Sequence, residues 1–166
     1  MWRVITLFDT SAIPDTDTID SATLSLYLGT DKLDQLSTGG SIGIVDAAPA
    51  SNTAIATGDF ATMGSTLQAS TVTIASVGTN AYKDFALNAT GLSNISKTGI
   101  SKFGVREEAD RSNTEPTAQT NGAKYRYVNW FSADTSGTTS DPKLVVVHSA
   151  AAASGVGLTL NKGWWG

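Results

Sequence analysis

His148 is the one histidine of the chain and closes the apolar run 143–148. A Ser/His/Asp triad would need it as the base; at a strand end facing small residues it reads as an ordinary structural histidine. Cysteine is absent, which removes thiol nucleophiles, thiolate metal sites and disulfides together. Glu107, Glu108 and Asp110 could supply the two acids of glycoside hydrolysis. Neighbouring strand positions face opposite ways, however, so Glu107 and Glu108 cannot flank one bond unless the strand ends there. A solvated loop rim is the favoured reading, and no residue is assigned as catalytic.

Arg106 stands among apolar positions in Phe103-Gly104-Val105-Arg106-Glu107, and Asp84 is its candidate partner. A partly buried arginine with a carboxylate locks sheet register, so both are read as structural. Asp15, Asp17 and Asp20 lie close enough along the chain to suit calcium. They lack the glycine and terminal glutamate of a standard calcium loop, so a solvated acidic turn is favoured and no cofactor is assigned.

Tyr125, Tyr127, Asn129 and Phe131 alternate with Arg126, Val128 and Trp130. Rings that stack on sugar faces and amides that bond hydroxyls are the chemistry of carbohydrate binding. That makes Tyr125, Tyr127, Asn129 and Trp130 the candidate ligand set, although the same stripe would serve equally well as sandwich core. Asn88-Ala89-Thr90 and Asn94-Ile95-Ser96 spell glycosylation sequons.

Alternation must position these groups. Val4, Thr6 and Phe8 share one face of a first strand and Arg3, Ile5 and Leu7 the other, the pattern of an internal or covered strand. Ala22, Leu24, Leu26 and Leu28 oppose Thr23, Ser25 and Tyr27 in a half-buried strand. Further strands are expected at 41–45, 71–75, 82–87, 102–107, 124–131 and 143–148. Residues 46–57 read as a long connection with one helical turn near Gly58-Asp59-Phe60, and 108–122 as a polar loop. One short helix is expected near 90–97, capped by Thr90 and closed by a left-handed Gly99. Strands separated by turn clusters predict an all-β fold, an antiparallel jelly-roll-type β-sandwich.

Composition agrees. Charged residues are 16% while Ser and Thr make up about a quarter, unlike a helical protein. Eleven Lys+Arg against fifteen Asp+Glu give a net charge of −4, which disfavours a nucleic acid or anionic membrane as partner. No apolar run approaches the ~18 residues that membrane insertion needs.

The ordered series Phe8-Asp9-Thr10-Ser11-Ala12-Ile13-Pro14, Ile19-Asp20-Ser21-Ala22-Thr23-Leu24-Ser25-Leu26-Tyr27, Phe85-Ala86-Leu87-Asn88, Phe103-Gly104-Val105-Arg106-Glu107 and Asp141-Pro142-Lys143-Leu144-Val145-Val146 resembles the DNRLRE, or disaggregatase-related, β-sandwich modules. The resemblance spans 2–148. It implies a module of bacterial or archaeal surface proteins or of phage virions, extracellular, related to carbohydrate binders. Modules of that kind open with one or two strands before the counterpart of Arg3-Val4-Ile5, and a sandwich without them is expected to have a vacant edge. The chain is therefore read as a sandwich over 1–148, a small-residue linker at 149–155 and an apolar, aromatic tail at 156–166. Val156, Leu158, Leu160, Trp164 and Trp165 are the expected assembly residues, filling the vacant edge of the same or a neighbouring subunit. The expected partners are copies of itself or other structural proteins, with polysaccharide as the alternative.

Overall fold

A computed structural model describes residues 2–36, 39–114 and 125–151. Its strands are β1 (Val4–Asp9), β2 (Thr18–Asp34), β3 (Ser41–Ala47), β4 (Met63–Leu67), β5 (Val72–Thr73), β6 (Ala81–Ala86), β7 (Ile100–Glu107), β8 (Arg126–Trp130) and β9 (Lys143–Ser149). Two short helices, α1 (Ala89–Ser93) and α2 (Glu108–Arg111), and two 3-10 turns complete the order. One sheet runs β1-β7-β3-β4, with β5 also on β3; the other runs β6-β2-β8, with β9 also on β2. All pairings are antiparallel.

Two-residue alternation decides which side chains meet. Leu24, Leu26, Leu28 and Phe85 of the second sheet pack against Ile44, Phe103 and Val105 of the first, in one buried cluster. The protein is thus an all-β sandwich. No helix among the described residues is long and apolar enough to cross a membrane.

β2 organises the second sheet. β6 pairs with it from Thr23 to Leu28, while β9 pairs from Thr18 to Ser25 and β8 from Leu28 to Asp34. Because Thr23, Leu24 and Ser25 pair with β6 and β9 at once, and Leu28 with β6 and β8, β8 and β9 share one edge of β2. They run collinearly: the Phe131 N–H donates to the Tyr27 carbonyl, and the ribbon resumes with Lys143 opposite Ser25. Residues 132–142 leave this line and return to it.

The two sides of the sandwich differ. On one, Ala69 bridges Leu87 and the Asn88 N–H donates to the Gln68 carbonyl at 2.8 Å, stitching the β4–β5 connection to the end of β6. On the other, β1 ends the first sheet and β8–β9 ends the second, each with a single neighbour among the described residues. Of the two alternatives for β1, internal or covered, the internal one is corrected here: among the described residues it pairs with β7 alone, and it is an edge strand whose residues Val4 to Phe8 are nonetheless buried or half-buried.

Several local expectations change as well. The helix is α1, and its N-cap is Asn88, which accepts from the Gly91 N–H at 3.0 Å and donates from Nδ2 to the Leu67 carbonyl. A residue tied to β4 in this way displaces Thr90 as the cap. Asn94 in right-handed geometry ends the helix, and Gly99 has no positive φ. β4 went unread because Met63-Gly64-Ser65-Thr66-Leu67 carries no apolar alternation. The turn near Gly58 is a 3-10 turn, Thr57–Thr62.

Gly91 is a position where packing leaves no room for a side chain. A Cβ there would sit 2.3 Å from the Gln68 carbonyl oxygen, a backbone atom of the stitched side. Gly91→Ala is expected to cost about 1–3 kcal/mol in urea unfolding, with the midpoint lowered and the slope unchanged. The exposed neighbour Thr90→Ala should stay within about 0.5 kcal/mol.

Candidate functional site

β7 ends at Glu107 because its carboxylate caps the next turn, accepting from the N–H groups of Ala109 and Asp110. That turn folds Asp110 back onto Arg106, four residues earlier, with Arg106 Nε donating to Asp110 Oδ2 at 2.8 Å. Arg106 Nη1 also donates to the Gly64 carbonyl at 2.7 Å. Arg3 grips both oxygens of the same carboxylate at 2.8 Å and stacks 3.9 Å from the Phe60 ring. Burial alone would raise the Asp110 pKa, but hydrogen bonds and charge from Arg3 and Arg106 outweigh it and hold the carboxyl at about 2. The assignment of Asp84 as partner to Arg106 is corrected: Asp84 lies on β6 in the other sheet and accepts from Ser25 at 2.6 Å.

A second knot joins the sheets. Arg126 of β8 donates to Asp34 of β2 and to Glu107 of β7, both at 2.8 Å. Glu108 pairs with Arg111, which holds its pKa low. Each of the three carboxylates weighed for glycoside hydrolysis is therefore engaged by an arginine, and Asp110 and Glu108 are kept ionised rather than poised to donate a proton.

His148 Nδ1 lies 2.7 Å from Asp17 Oδ2. Gly39-Gly40-Ser41-Ile42-Gly43 has the spelling of a nucleophile elbow, a feature absent from the sequence reading. Ser41 instead opens β3 opposite Thr73, in extended backbone. Gly40, beside it, donates to Asp34 at the far end of β2 from Ile19, the partner of His148, so serine and imidazole are not brought together. The acidic turn is used internally. Asp17 takes His148, Asp20 accepts from Ser149, and the carbonyls of Asp15 and Asp17 accept from Lys97. Among the described residues, no group of three or more His, Asp and Glu converges on a metal position, and the turn that carries Asp15, Asp17 and Asp20 is braced by these contacts. Both sequon asparagines spend their amide nitrogens on backbone carbonyls, Asn88 on Leu67 and Asn94 on Lys102.

The aromatic stripe divides. Trp130 turns inward and meets Phe85 edge-on at 6.4 Å, with Val128 beside it on the core side. Tyr125, Tyr127 and Asn129 face out, so the four residues of the candidate ligand set do not share one face. Phe131 lies over Gly29, where a Cβ would approach its ring to 2.5 Å, and packs on Tyr27 at 5.4 Å. Tyr27 in turn meets Tyr82, whose hydroxyl donates to the carbonyls of Thr139 and Asp141. This row holds the junction between β8 and β9.

Between the start of β1 and the inner side of β8 opens a cleft of about 700 Å³, lined by Trp2, Val4, Val105, Val128 and Trp130, with Arg126 and Glu107 at its polar end. Trp2, 89% exposed, stands at its rim. Along the outer face of the same ribbon, Tyr125, Tyr127, Val145 and Val147 are 60, 42, 58 and 52% exposed. Val156, Leu158, Leu160, Trp164 and Trp165 lie outside the described residues. The sequence reading missed Arg3, Arg126 and Asp34; charged residues at the ends of otherwise apolar strands were the available signal.

The Asp110 knot has a pH signature. A carboxyl depressed from 3.8 to about 2 contributes stability that is present above pH 4 and is lost as pH falls through 2. Asp110→Asn should cost about 3–5 kcal/mol at pH 7. It should also flatten the acid limb of the stability profile between pH 4 and pH 2, measured by urea unfolding. Arg106→Met should likewise lower stability rather than leave a well-folded protein with altered binding. No family model matches this sequence, and no curated protein or solved structure matches it either.

Proposed function

We propose that this chain is a non-catalytic structural module that works by associating with copies of itself, in an extracellular, cell-surface or virion setting. The observation that carries the reading is the β8–β9 ribbon. Its outward backbone edge has no partner strand among the described residues, and its outer face exposes Val145, Val147, Tyr125 and Tyr127 in one line. Edge strands in lone sandwiches are normally blunted by charge, proline or a covering loop, because an unpaired ladder templates association. Here Leu144 to Val147 are all apolar, and the cleft beside β1 adds inward apolar surface to the same side. The resemblance to DNRLRE modules supports the setting, and the engagement of every weighed carboxylate by arginine supports a non-catalytic role.

Sedimentation velocity over a range of concentrations tests this. The chain should associate, and Val145→Lys with Val147→Lys should weaken association at least ~10-fold, about 1.4 kcal/mol. Both side chains are more than half exposed, so the unfolding midpoint should stay near that of the parent. A parent chain that is monomeric at every concentration overturns the proposal.

The outward stripe Tyr125, Tyr127 and Asn129 favours a second reading, a carbohydrate-binding module of a larger surface protein or polysaccharide-acting protein. On that reading Tyr127→Ala abolishes binding on a glycan array while the solution mass is unchanged. Absence of glycan binding by the parent chain removes it.

A further inference from the structure

Two vacancies meet at β9. Its outward backbone row has no partner strand among the described residues, and Leu144 and Val146 on its inner face stay only half-buried. The opposite edge of the same sheet is β6, where Lys83 and Asp84 interrupt the apolar residues. β9 presents Leu144, Val145, Val146 and Val147 with no charge among them, and Val145 and Val147 are more than half exposed. An added antiparallel strand with apolar residues on both faces would satisfy the ladder, cover Leu144 and Val146, and shield Val145 and Val147. β9 is itself such a strand.

Symmetry sets the register. Opposed residues of an antiparallel pair share a face, so a two-fold axis through one residue of β9 keeps the inner faces of both copies on one side. Val146 is the midpoint of β9 (Lys143–Ser149), and an axis through it engages all seven residues of the strand. Val146 then meets Val146 on the core side, and Val145 meets Val147 twice on the outer side. Lys143 comes opposite Ser149 of the second copy, whose hydroxyl donates to the exposed Asp20 at 3.0 Å. Within its own chain Lys143 rests over the Tyr82 ring, and among the described residues neither Lys143 nor Asp20 is in an ion pair. The axis therefore brings a cation toward a carboxylate at both ends of the joined strands. An axis through Val145 shortens the pairing and sets Lys143 against Val147 instead.

We infer that β9 pairs antiparallel with β9 of a second copy about a two-fold axis through Val146, joining the second sheets of two sandwiches into one continuous sheet. The inference rests on the association reading and supplies its surface, register and symmetry.

The chain has no cysteine, so single replacements report the axis directly. On mild oxidation of the full-length chain, Val146→Cys should crosslink to itself as a dimer on non-reducing electrophoresis, because directly opposed residues meet disulfide geometry. Leu144→Cys should not, since its counterpart lies four positions along the strand, about 13 Å away. Val145→Cys chains mixed with Val147→Cys chains should form a mixed dimer several-fold faster than either variant crosslinks alone. Both of these positions are exposed, so the mixed pair reports the register even where Val146→Cys disturbs folding. Sedimentation of the cysteine-free parent separates the two claims. A parent that associates while neither Val146→Cys nor the mixed pair crosslinks, or while Leu144→Cys crosslinks equally, overturns the inference and leaves association standing. A parent that is monomeric at every concentration overturns both.

Discussion

Every strand in a sheet has two rows of backbone N–H and C=O groups to satisfy, and most of what is distinctive here follows from which strand goes short. β2, the longest strand, has both of its rows engaged, by β6 on one side and by the collinear β8 and β9 on the other. That leaves the far rows of β6 and of β8–β9 as the two places where the second sheet stops among the described residues. The residues that share the inner face of β8–β9 are half-buried for the same reason that its amides are unpaired: nothing among the described residues stands beyond them. Apolar burial and backbone pairing thus point to the same vacancy, although they are independent quantities.

The ion-pair knots explain why one side can be left open without the sheets drifting apart. Arg126 clasps Asp34 and Glu107 across the two sheets, and Arg106 and Arg3 share Asp110 on the outer side of the first. Pairs of this kind contribute little net stability against an apolar alternative, but a wrong register would leave a guanidinium buried without a carboxylate. They work as selectors of geometry, while Leu24, Leu26, Leu28, Phe85 and Phe103 supply the burial that drives folding. The side opposite the cleft is closed by backbone contacts, with Ala69 against Leu87 and Asn88 against Gln68, whereas the cleft side is held by the Arg126 ion pairs.

Within the candidate site, some of the geometry was legible in advance. The parity that set Tyr125, Tyr127 and Asn129 against Trp130 could be written down from the run itself; which parity faced water could not, because both contain large apolar side chains. Arg106 could be recognised as a charge in need of a partner, yet its partner was misassigned. Asp84 seemed suitable by residue type, whereas Asp110 reaches it only because Glu107 ends the strand and starts a turn. Asp15, Asp17 and Asp20 could be seen as a cluster of charge, but their hydrogen-bond donors come from Lys97, His148 and Ser149, far along the chain.

Local pattern determined what is local. Two-residue alternation, turn residues and low charge were enough for an all-β sandwich, because the period of side-chain direction along a strand belongs to the chain and needs no neighbour. Tertiary structure alone decided the order of strands, the collinearity of β8 and β9, and the choice of β1 and β8–β9 as edges. It also decided the meeting of Arg3, Arg106 and Asp110. Those outcomes depend on contacts between segments a hundred residues apart, such as Arg3 with Asp110, and on steric detail such as the absent Cβ of Gly29 beneath Phe131. Such contacts minimise energy over the whole molecule, and no stretch of sequence carries them by itself.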